Sequence, residues 1–371
     1  MKRMENIRIT DNYAGGNIRV IAQEGNLVKL EQDIRDTSGW WFYWNFRAEA
    51  DQAQTIVFEF LNGEVIGPWG PAVSMDGIRW QWLGTDSLIS RLSFRYSFTE
   101  GERVYFSFSL PYQLHHFERF YSRISNVPAV RRQVLTLSEQ LRPVPLLVIG
   151  NATARKHIMF TCRHHACESP PSYLLEGLLY YYLSQAESKV LQQFAIHCVP
   201  FVDLDGVENG DQGKARQPHD HNRDYVAAPR YEATAAIAEY AKSLELVAGI
   251  DLHSPYKWGE RNDFPFVVKR GSPVKGEIER FNACLATATR SRAASGLISY
   301  SSIHDIEMGE DWNQPNGATC SAFFERTGAQ LVFSFELPYF GNENMVISQD
   351  NCRQFGADFA RALEAYLLQI C

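Results

Sequence analysis

The sequence lacks the features that mark several specialised classes of protein. No apolar run approaches the roughly 18 residues of a membrane-spanning helix, and no low-complexity tract indicates disorder. Neither sign of charge dominates: 36 basic and 43 acidic side chains give a net charge of −7. This balance argues against a general attraction to nucleic acid or anionic membranes.

Cysteine is absent from the first 161 residues. The seven cysteines that follow are scattered and odd in number, which favours reduced thiols over a disulfide framework. The polar start, residues 1–6, lacks the apolar segment of a signal peptide. We therefore expect a soluble, cytoplasmic protein with no nucleic-acid or membrane partner.

Residues 1–112 are predicted to form an all-β sandwich domain. Short runs of β-branched and aromatic residues alternate there with turn signals such as Glu24-Gly25-Asn26. About seven such strands without a helix between them are typical of a sandwich. Six of the eight tryptophans lie in this part. Their spacing favours core or interdomain packing over the alternative, a carbohydrate-binding face.

Residues 113–371 are predicted to form a separate α/β domain, since a chain of 371 residues exceeds the roughly 250–300 residues of a single core. Apolar strands alternate with amphipathic helices, which indicates a mixed, mostly parallel sheet with helices on both faces. Ligands of such sheets bind at the carboxyl ends of the strands. Functional side chains are therefore expected where these strands end.

The segment Cys162–Pro170 follows one of these predicted strands. It contains His165 and Glu168, three residues apart, so that both side chains can reach one cation. The adjacent His164 and the two cysteine thiols of the segment are alternative ligands. A solvated polar turn is the alternative to a metal site.

Two further strand ends carry polar side chains. His253 ends the strand that begins near residue 247, and it can complete a set of two histidines and one carboxylate with an open position for water. The alternative is a hydrogen-bonded histidine at the rim. Glu336 ends another apolar strand, where an unpaired carboxylate is costly. Beside a metal-bound water, it can act as general base and then as acid.

The polar stretch 203–229 is predicted to be a long loop, and a loop of this length in a compact domain is usually functional. Asn222 and Arg223 offer an amide and a guanidinium, a pair suited to bind a carboxylate. Arg216 is a candidate to neutralise an oxyanion. For a single arginine, a solvated loop charge is the alternative.

In this combination the residues resemble the zinc metallocarboxypeptidases of the carboxypeptidase A type. The likeness is greatest to the cytosolic carboxypeptidase subgroup, which carries a β-sandwich before its catalytic domain. It rests on the following stretches, in this order: Val104–Tyr112 as the segment between the domains, His165-x-x-Glu168, Pro200–Arg223 with its Asp-Gly pair and its Asp-x-Asn-Arg end, His253-Ser254, and Glu336.

The resemblance implies one zinc ion per chain, bound by His165, Glu168 and His253. It also implies that Asp220 orients one of the zinc-binding histidines from behind. The two cysteine thiols and His164 then become neighbours of the ligands. The implied activity is hydrolysis of the C-terminal residue of peptides or proteins.

The same resemblance implies roles for the remaining residues of the site. Glu336 is the general base and acid, while Asn222 and Arg223 hold the terminal carboxylate of the substrate. The spacing of the stretch that carries the family's oxyanion arginine differs here. Arg216 is therefore the first choice for this role and Lys214 the second, and the substrate-capping tyrosine of the digestive members has no evident counterpart.

One departure from the family pattern leaves a further interpretation open. His221 replaces an apolar residue and creates a Pro-His-Asp-His sequence that also fits a second metal site.

A preference for acidic C-terminal residues is also possible. Lys257, Arg261 and Arg326 lie near the motifs and offer a basic pocket. Such a pocket agrees with the removal of glutamate residues by members of the cytosolic subgroup. Solvation at the surface explains these charges equally well.

Two other functions remain open. One is a zinc-dependent deacylase of N-acyl amino acids, which can use the same residues. The other is a catalytically silent peptide-binding protein.

Overall fold

The computed structural model describes residues 7–37, 42–185, 187–315 and 317–370. In this part of the chain, no helix combines the length and apolar character that crossing a membrane requires. The elements change in type along the chain, from strands with one short 3-10 helix (Thr85–Ser87) up to Ser107 to alternating helices and strands from Leu114 onwards. The predicted domain boundary at residue 112 falls within this transition and stays a prediction.

The strands of the first part form two facing sheets. They are β1 (Ile7–Thr10), β2 (Arg19–Glu24), β3 (Leu27–Glu31), β4 (Asn45–Ala50), β5 (Gln54–Phe60), β6 (Ala72–Ser74), β7 (Gln81–Trp82), β8 (Ser93–Phe98) and β9 (Arg103–Ser107). One sheet has the order β1-β4-β9-β6-β7 and the other β2-β3-β5-β8. Their pairs are antiparallel except for β3 with β5.

Alternate side chains of these strands form one apolar core between the sheets. The rings of Phe46 and Phe106, from one sheet, lie 5.3 and 5.4 Å from the ring of Phe58 in the other. The predicted β-sandwich is thereby confirmed. Trp40 and Trp41 lie outside the described residues.

The described tryptophans support packing over a carbohydrate-binding face. Trp44 is fully buried in the sandwich core. Trp69 and Trp82 donate their indole N–H groups to the carbonyls of Phe340 and Ile347, at 3.0 and 2.7 Å. These hydrogen bonds join the β-sandwich to the α/β part.

The second part contains a seven-stranded sheet with helices. Its strands are β10 (Val130–Leu137), β11 (Pro143–Gly150), β12 (Lys156–Cys162), β13 (Phe194–Val199), β14 (Glu245–His253), β15 (Phe266–Lys269) and β16 (Leu331–Glu336), with a small hairpin of β17 (Gly341–Asn342) and β18 (Met345–Val346). Its helices are α1 (Leu114–Ile124), α2 (Pro170–Ser184), α3 (Lys189–Gln193), α4 (Leu204–Asn209), α5 (Glu232–Lys242), α6 (Lys275–Thr289), α7 (Cys320–Arg326) and α8 (Gln349–Ile370).

The sheet order is β10-β11-β13-β12-β14-β16-β15. The four strands β13, β12, β14 and β16 run parallel, and the outer strands are antiparallel to their neighbours. Nearly all side chains of the parallel strands are buried, so both faces of the sheet are covered. The predicted α/β architecture with a mixed sheet is thus confirmed.

The stretch predicted to be one loop, residues 203–229, contains a short helix, α4. Asp203 caps it by accepting a hydrogen bond from the Gly206 N–H at 2.9 Å, and Gly210 ends it in the left-handed conformation with φ 79°. The sequence of α4 lacks a helical repeat of apolar residues, so periodicity did not predict this helix.

The parallel strands end side by side, and this arrangement positions the polar side chains. In the strand register, Cys162 at the end of β12 is paired with Leu252 of β14, and His253 is paired with Glu336 of β16. The three motifs that stand far apart in the sequence therefore meet at one edge of the sheet.

Candidate active site

Three potential ligands meet at the edge where β12 and β14 end. The Nδ1 atom of His165 lies 2.8 Å from one carboxylate oxygen of Glu168, and Nδ1 of His253 lies 2.8 Å from the other. The ligand atoms of the three residues are all within 4.8 Å of one another. Two imidazole nitrogens and one carboxylate that converge in this way are a donor set for catalytic zinc.

The opposite nitrogen of each histidine faces a carboxylate. Nε2 of His165 lies 3.3 Å from Asp220 Oδ1, and Nε2 of His253 lies 2.7 Å from Asp251 Oδ2. Such carboxylates fix the ring and leave Nδ1 directed at the metal position. Asp251 was missed by sequence reasoning. Its signal was present, because two residues apart on a strand, Asp251 and His253 point to the same face.

The charges of the site favour a cation at the point of convergence. Burial disfavours ionised His253, yet Asp251 and Glu168 outweigh it and hold its pKa well above the ordinary value. Burial also opposes ionisation of Glu168, but His165, Lys214 and His253 hold its pKa well below the ordinary value. Three carboxylates, Glu168, Asp220 and Asp251, contact the two histidines, so the donor set fits zinc both in chemistry and in charge.

The turn that presents His165 and Glu168 is fixed from inside the protein. Arg163, at its start, has a φ of 65° and is 2% exposed. Its guanidinium donates to the carbonyl of Tyr112 at 2.6 Å and to that of Ala166 at 3.2 Å. Because these buried hydrogen bonds close the turn, the ligand segment is rigid without help from regular secondary structure.

His164 supports the ligands from behind. It is fully buried, with Nε2 2.7 Å from the Tyr225 hydroxyl and Nδ1 2.9 Å from Asp251. With Asp251 and Cys320 it forms a second group of potential ligand atoms. Its contact with Asp251, the carboxylate behind His253, is consistent with a support for that ligand.

Glu336 stands beside His253 at the end of β16 and is 5% exposed. Its Oε2 atom is buried and has no hydrogen-bond partner among the described residues. Burial raises the pKa of this carboxyl to about 7; the charge of His253 opposes the rise and that of Glu168 adds to it. A buried carboxyl of this kind is poised to exchange a proton near neutral pH.

These residues line one cleft of about 500 Å³. Polar and aromatic side chains form most of its wall: His165, Glu168, Lys214, Asp220, Asn222, Arg223, His253, Tyr256, Arg270, Trp312, Ser321, Ser334 and Glu336. Metal position, buried carboxyl and several cations therefore share one space open to a substrate.

Asn222 and Arg223 lie in a 3-10 turn on the wall of the cleft. Asp220 accepts the Asn222 N–H at 2.7 Å, and the Asn222 side-chain oxygen accepts the Cys320 N–H at 2.9 Å. The Arg223 guanidinium donates to the neighbouring Asn222 carbonyl at 2.8 Å. The turn thus places the arginine on the wall of the cleft that also contains the three potential ligands.

Residues 122–362 match the family description zinc carboxypeptidase. The chain belongs to the zinc carboxypeptidase family. Cytosolic carboxypeptidase 6 of Caenorhabditis elegans is 25% identical over 180 residues, which are 44% of this chain and 39% of that protein. An uncharacterized protein of Zymomonas mobilis is 27% identical over 209 residues, 54% of either chain. The chain thus spans about half the length, or less, of these curated relatives.

The fold is also similar to that of a solved structure. A metallo-carboxypeptidase from Burkholderia cenocepacia superposes with a TM-score of 0.82, over 98% of this chain and 100% of that one. With 16% sequence identity, this likeness shows a common fold that includes the β-sandwich.

Arg216, the first choice for the oxyanion role, is not among the described residues that line the cleft. The guanidinium is bound by Asp203 and, at 3.1 Å, by Asp211. Lys214 lies in the cleft instead, with its ammonium 2.6 Å from Glu168 and 2.7 Å from the Ser254 carbonyl. Arg216, two residues further along the chain, pairs instead with a cluster of carboxylates. Its position in the sequence did not indicate this pairing.

The basic residues expected to select acidic substrates also lie elsewhere in this family member. Lys257 donates to the Glu64 carbonyl, Arg261 pairs with Glu310 and Asp311, and Arg326 donates to the carbonyls of Gly317 and Tyr225. Arg270, which sequence reasoning missed, is a basic residue on the wall of the cleft. Its position after the short edge strand β15 carried no signal.

The remaining alternative ligands are engaged in packing. His221 stacks on Tyr231 with ring centroids 3.6 Å apart, which accounts for this histidine without a second metal. Burial raises the pKa of the Cys162 and Cys167 thiols to about 12, so neither offers a thiolate to a metal at neutral pH.

Proposed function

We propose that this protein is a zinc-dependent metallocarboxypeptidase that removes the C-terminal residue of peptides or proteins. The observation that carries the proposal is the convergence of His165, Glu168 and His253 in the cleft that also holds Glu336. One zinc ion per chain is bound by these three residues. The whole arrangement is that of a hydrolase with a metal, a base and a substrate grip in one cleft.

Glu336 is the general base and then the general acid in this proposal. Its buried carboxyl, with a pKa raised to about 7 by burial, accepts a proton from the attacking water and returns it to the leaving amine. A bound zinc ion would supply Lewis acidity, polarising the scissile carbonyl and lowering the pKa of water. Among the described residues, Oε2 of Glu336 is buried without a hydrogen-bond partner, so this oxygen is free to accept the proton.

Arg223, assisted by Asn222, binds the terminal carboxylate of the substrate. A guanidinium offers two parallel N–H donors to a carboxylate, and this site lies on the wall of the same cleft as Glu336. A substrate held there by its own C-terminus places its last peptide bond at the metal. This grip explains why cleavage is restricted to the terminal residue.

Lys214 takes the role for which Arg216 was the first choice, stabilisation of the oxyanion. Its ammonium contacts Glu168, a proposed zinc ligand, at 2.6 Å and is therefore adjacent to the carbonyl that is attacked. Burial lowers the pKa of Lys214, but Glu168 and Glu336 reverse the effect and raise it above its ordinary value. The side chain is thus cationic at neutral pH.

Hydrolysis of a peptide panel tests the proposed function. The zinc-loaded protein is expected to release the last residue of peptides with a free C-terminus and to leave C-terminally amidated peptides intact, because an amide gives Arg223 no carboxylate. Amino-acid analysis of the products measures both. N-acyl amino acids serve as the comparison: faster hydrolysis of these favours a deacylase, and binding without hydrolysis favours a silent peptide-binding protein.

A preference for acidic terminal residues is supported by Arg270. It follows β15, which runs antiparallel to β16 with Phe266 opposite Glu336, so Arg270 lies below the rim, deeper in the cleft. Its Nε donates to Glu325 at 2.9 Å. The Ser334 side chain lies in the same cleft, so a carboxylate of the substrate finds both a cation and a hydroxyl there.

Arg270→Met is expected to lower kcat/KM for peptides ending in Glu or Asp by about 10- to 100-fold, the worth of one charged hydrogen bond. Peptides ending in Leu are expected to change less than about threefold. Arg326→Met is the matched control, because Arg326 lies outside the cleft and donates to carbonyls. Equal losses on acidic and apolar peptides would argue against a selective role.

We also propose that residues 1–112 and 113–371 are separate domains and that the protein acts in the cytoplasm. The described cysteines all carry free thiols, which agrees with a reducing compartment. The net charge of −7 gives no general attraction to nucleic acid.

A further inference from the structure

Lys214 lies in a loop that the β-sandwich holds in place. We call residues Asp211–Gln217 the strap. It passes between the β-sandwich and the segment that carries His165, and it extends Lys214 into the cleft. Gly213 has a φ of 80°, and a Cβ atom there would lie 2.3 Å from the Ala166 nitrogen. The strap is therefore packed directly against the segment that carries the proposed metal ligands.

Asp36 of the first part binds the strap. It is 7% exposed and its Oδ2 atom accepts the Gly213 N–H at 2.9 Å, while Oδ1 accepts the Gln212 N–H at 3.4 Å. The carbonyl of Asp36 accepts the Gln217 N–H at 2.8 Å. Both ends of the strap are thus anchored to one residue outside the α/β part.

Neighbouring residues of the β-sandwich add to this anchor. The Thr37 hydroxyl donates to the Ala215 carbonyl at 3.2 Å. The side-chain oxygen of Gln212, a fully buried residue, accepts the Phe42 N–H at 2.7 Å and the Tyr43 N–H at 3.2 Å. Residues on both sides of Lys214 are therefore hydrogen-bonded across the interface.

Arg216 binds the strap to carboxylates of the α/β part. Its guanidinium is bound by Asp203 and Asp211 of the α/β part and lies 3.6 Å from Asp36. One half-buried cation thus joins buried carboxylates of both parts. A network of this kind fixes a single geometry, because each partner left alone would be an unpaired buried charge.

We propose that the β-sandwich is a working part of the active site, and that Asp36 is a positioning residue that acts through Lys214. The inference rests on the proposed carboxypeptidase function. The strap has no regular secondary structure of its own between Asp211 and Gln217, so the hydrogen bonds to Asp36 are among the contacts that fix the backbone from which Lys214 reaches the cleft. An error of about 1 Å in such a position can cost roughly 100-fold in rate.

Asp36→Ala is expected to lower kcat by roughly 10- to 100-fold with KM and zinc content nearly unchanged. Asp33→Ala is the matched control, because Asp33 is a nearby half-exposed carboxylate that pairs with Arg35 and is expected to leave kcat unchanged. Asp36→Asn is the second variant, for use if Asp36→Ala folds poorly. It keeps the shape and one acceptor oxygen, and its expected loss of kcat is smaller. A kcat for Asp36→Ala within about twofold of the parent overturns the proposal.

A double-mutant cycle distinguishes positioning from general stability. Lys214→Ala alone is expected to lower kcat by about 10²- to 10³-fold. In that background, Asp36→Ala is expected to cost less than about threefold, because the group that it positions is gone. The same loss in both backgrounds contradicts an action through Lys214.

Amide hydrogen exchange of the intact protein gives a readout that needs no activity. Asp36→Ala is expected to speed exchange in residues 211–217 by at least about tenfold, while the exchange rates of the strands in the three larger sheets stay unchanged. Unchanged exchange in the strap overturns the inference whatever the parent catalyses. Absence of hydrolysis by the parent, with faster strap exchange in the variant, instead overturns the proposed function and retains the anchor.

Discussion

Replacing Glu336 with Gln is expected to lower kcat for peptide hydrolysis by roughly 10³- to 10⁴-fold, in the upper part of the range for general acid–base groups. The effect is large because one carboxyl serves two proton transfers in the proposed mechanism. Gln keeps the size of the side chain and cannot exchange a proton. The initial rate of release of the terminal residue, measured with saturating zinc, checks this result.

Zinc binding by Glu336→Gln is expected to match the parent, since Glu336 stands outside the three ligands. Metal analysis after dialysis measures this directly. The matched control is Glu343→Gln, an exposed glutamate a few residues further along the chain, which is expected to retain full activity. An active Glu336→Gln variant contradicts the assignment of the base; loss of zinc from it contradicts the assignment of the ligands.

The same variant is expected to be more stable than the parent when both are zinc-free and alkaline. Burial raises the pKa of Glu336 to about 7, above that of an unfolded glutamate, so the folded protein binds the proton more tightly. The cost of ionisation to folding is therefore absent below the unfolded pKa and complete above about pH 7. Thermal unfolding should show a larger gain for Gln at about pH 8 than at about pH 4.

Removal of zinc by a chelator is expected to abolish hydrolysis and to lower the unfolding temperature by about 5–10 °C. A ligand that binds only the folded state stabilises it by about 3–4 kcal/mol when present at 100 to 1,000 times its Kd. The loss of stability is increased here by repulsion between the carboxylates of Glu168, Asp220, Asp251 and Glu336, which the zinc no longer offsets. Added zinc is expected to restore both activity and stability.

A variant that cannot bind zinc separates metal loss from damage by the chelator. His253→Ala is expected to be inactive, to contain little zinc and to show no further shift on chelation. His304→Ala, at a histidine that stacks on Phe264, is expected to respond as the parent does. Full activity of protein with less than about a tenth of a zinc per chain would contradict the proposed mechanism, because the metal is then dispensable.

The parts of the site that could be predicted from the sequence are those held by local pattern. His165 and Glu168 follow an apolar strand, and His253 and Glu336 end two others, so one rule about strand ends brings them together. The strand and helix order of the α/β part follows from periodicity in the same way. Asp251 was within reach of that logic, since it lies two residues before His253.

The residues that escaped prediction depend on contacts between distant parts of the chain. Arg216 and Lys214 are two residues apart, and only the carboxylates of Asp36, Asp203 and Asp211 determine which of them is drawn away from the cleft. Arg270 faces the cleft because of the antiparallel register of an edge strand. No spacing rule encodes either outcome, because long-range pairing and burial select among side chains that look equivalent in sequence.

The core of the β-sandwich also includes Cys167, Tyr339 and Phe340, which stand next to the ligand segment and just after Glu336. An isolated α/β part would expose these apolar side chains to water, and an isolated sandwich would lose part of its filling. The two parts therefore share one apolar core next to the ligand segment. This shared core opposes a hinge motion between the two parts. In the proposed enzyme, entry and release of substrate are therefore expected to depend on the loops that line the cleft, among them the one that carries Trp312, and not on separation of the two parts.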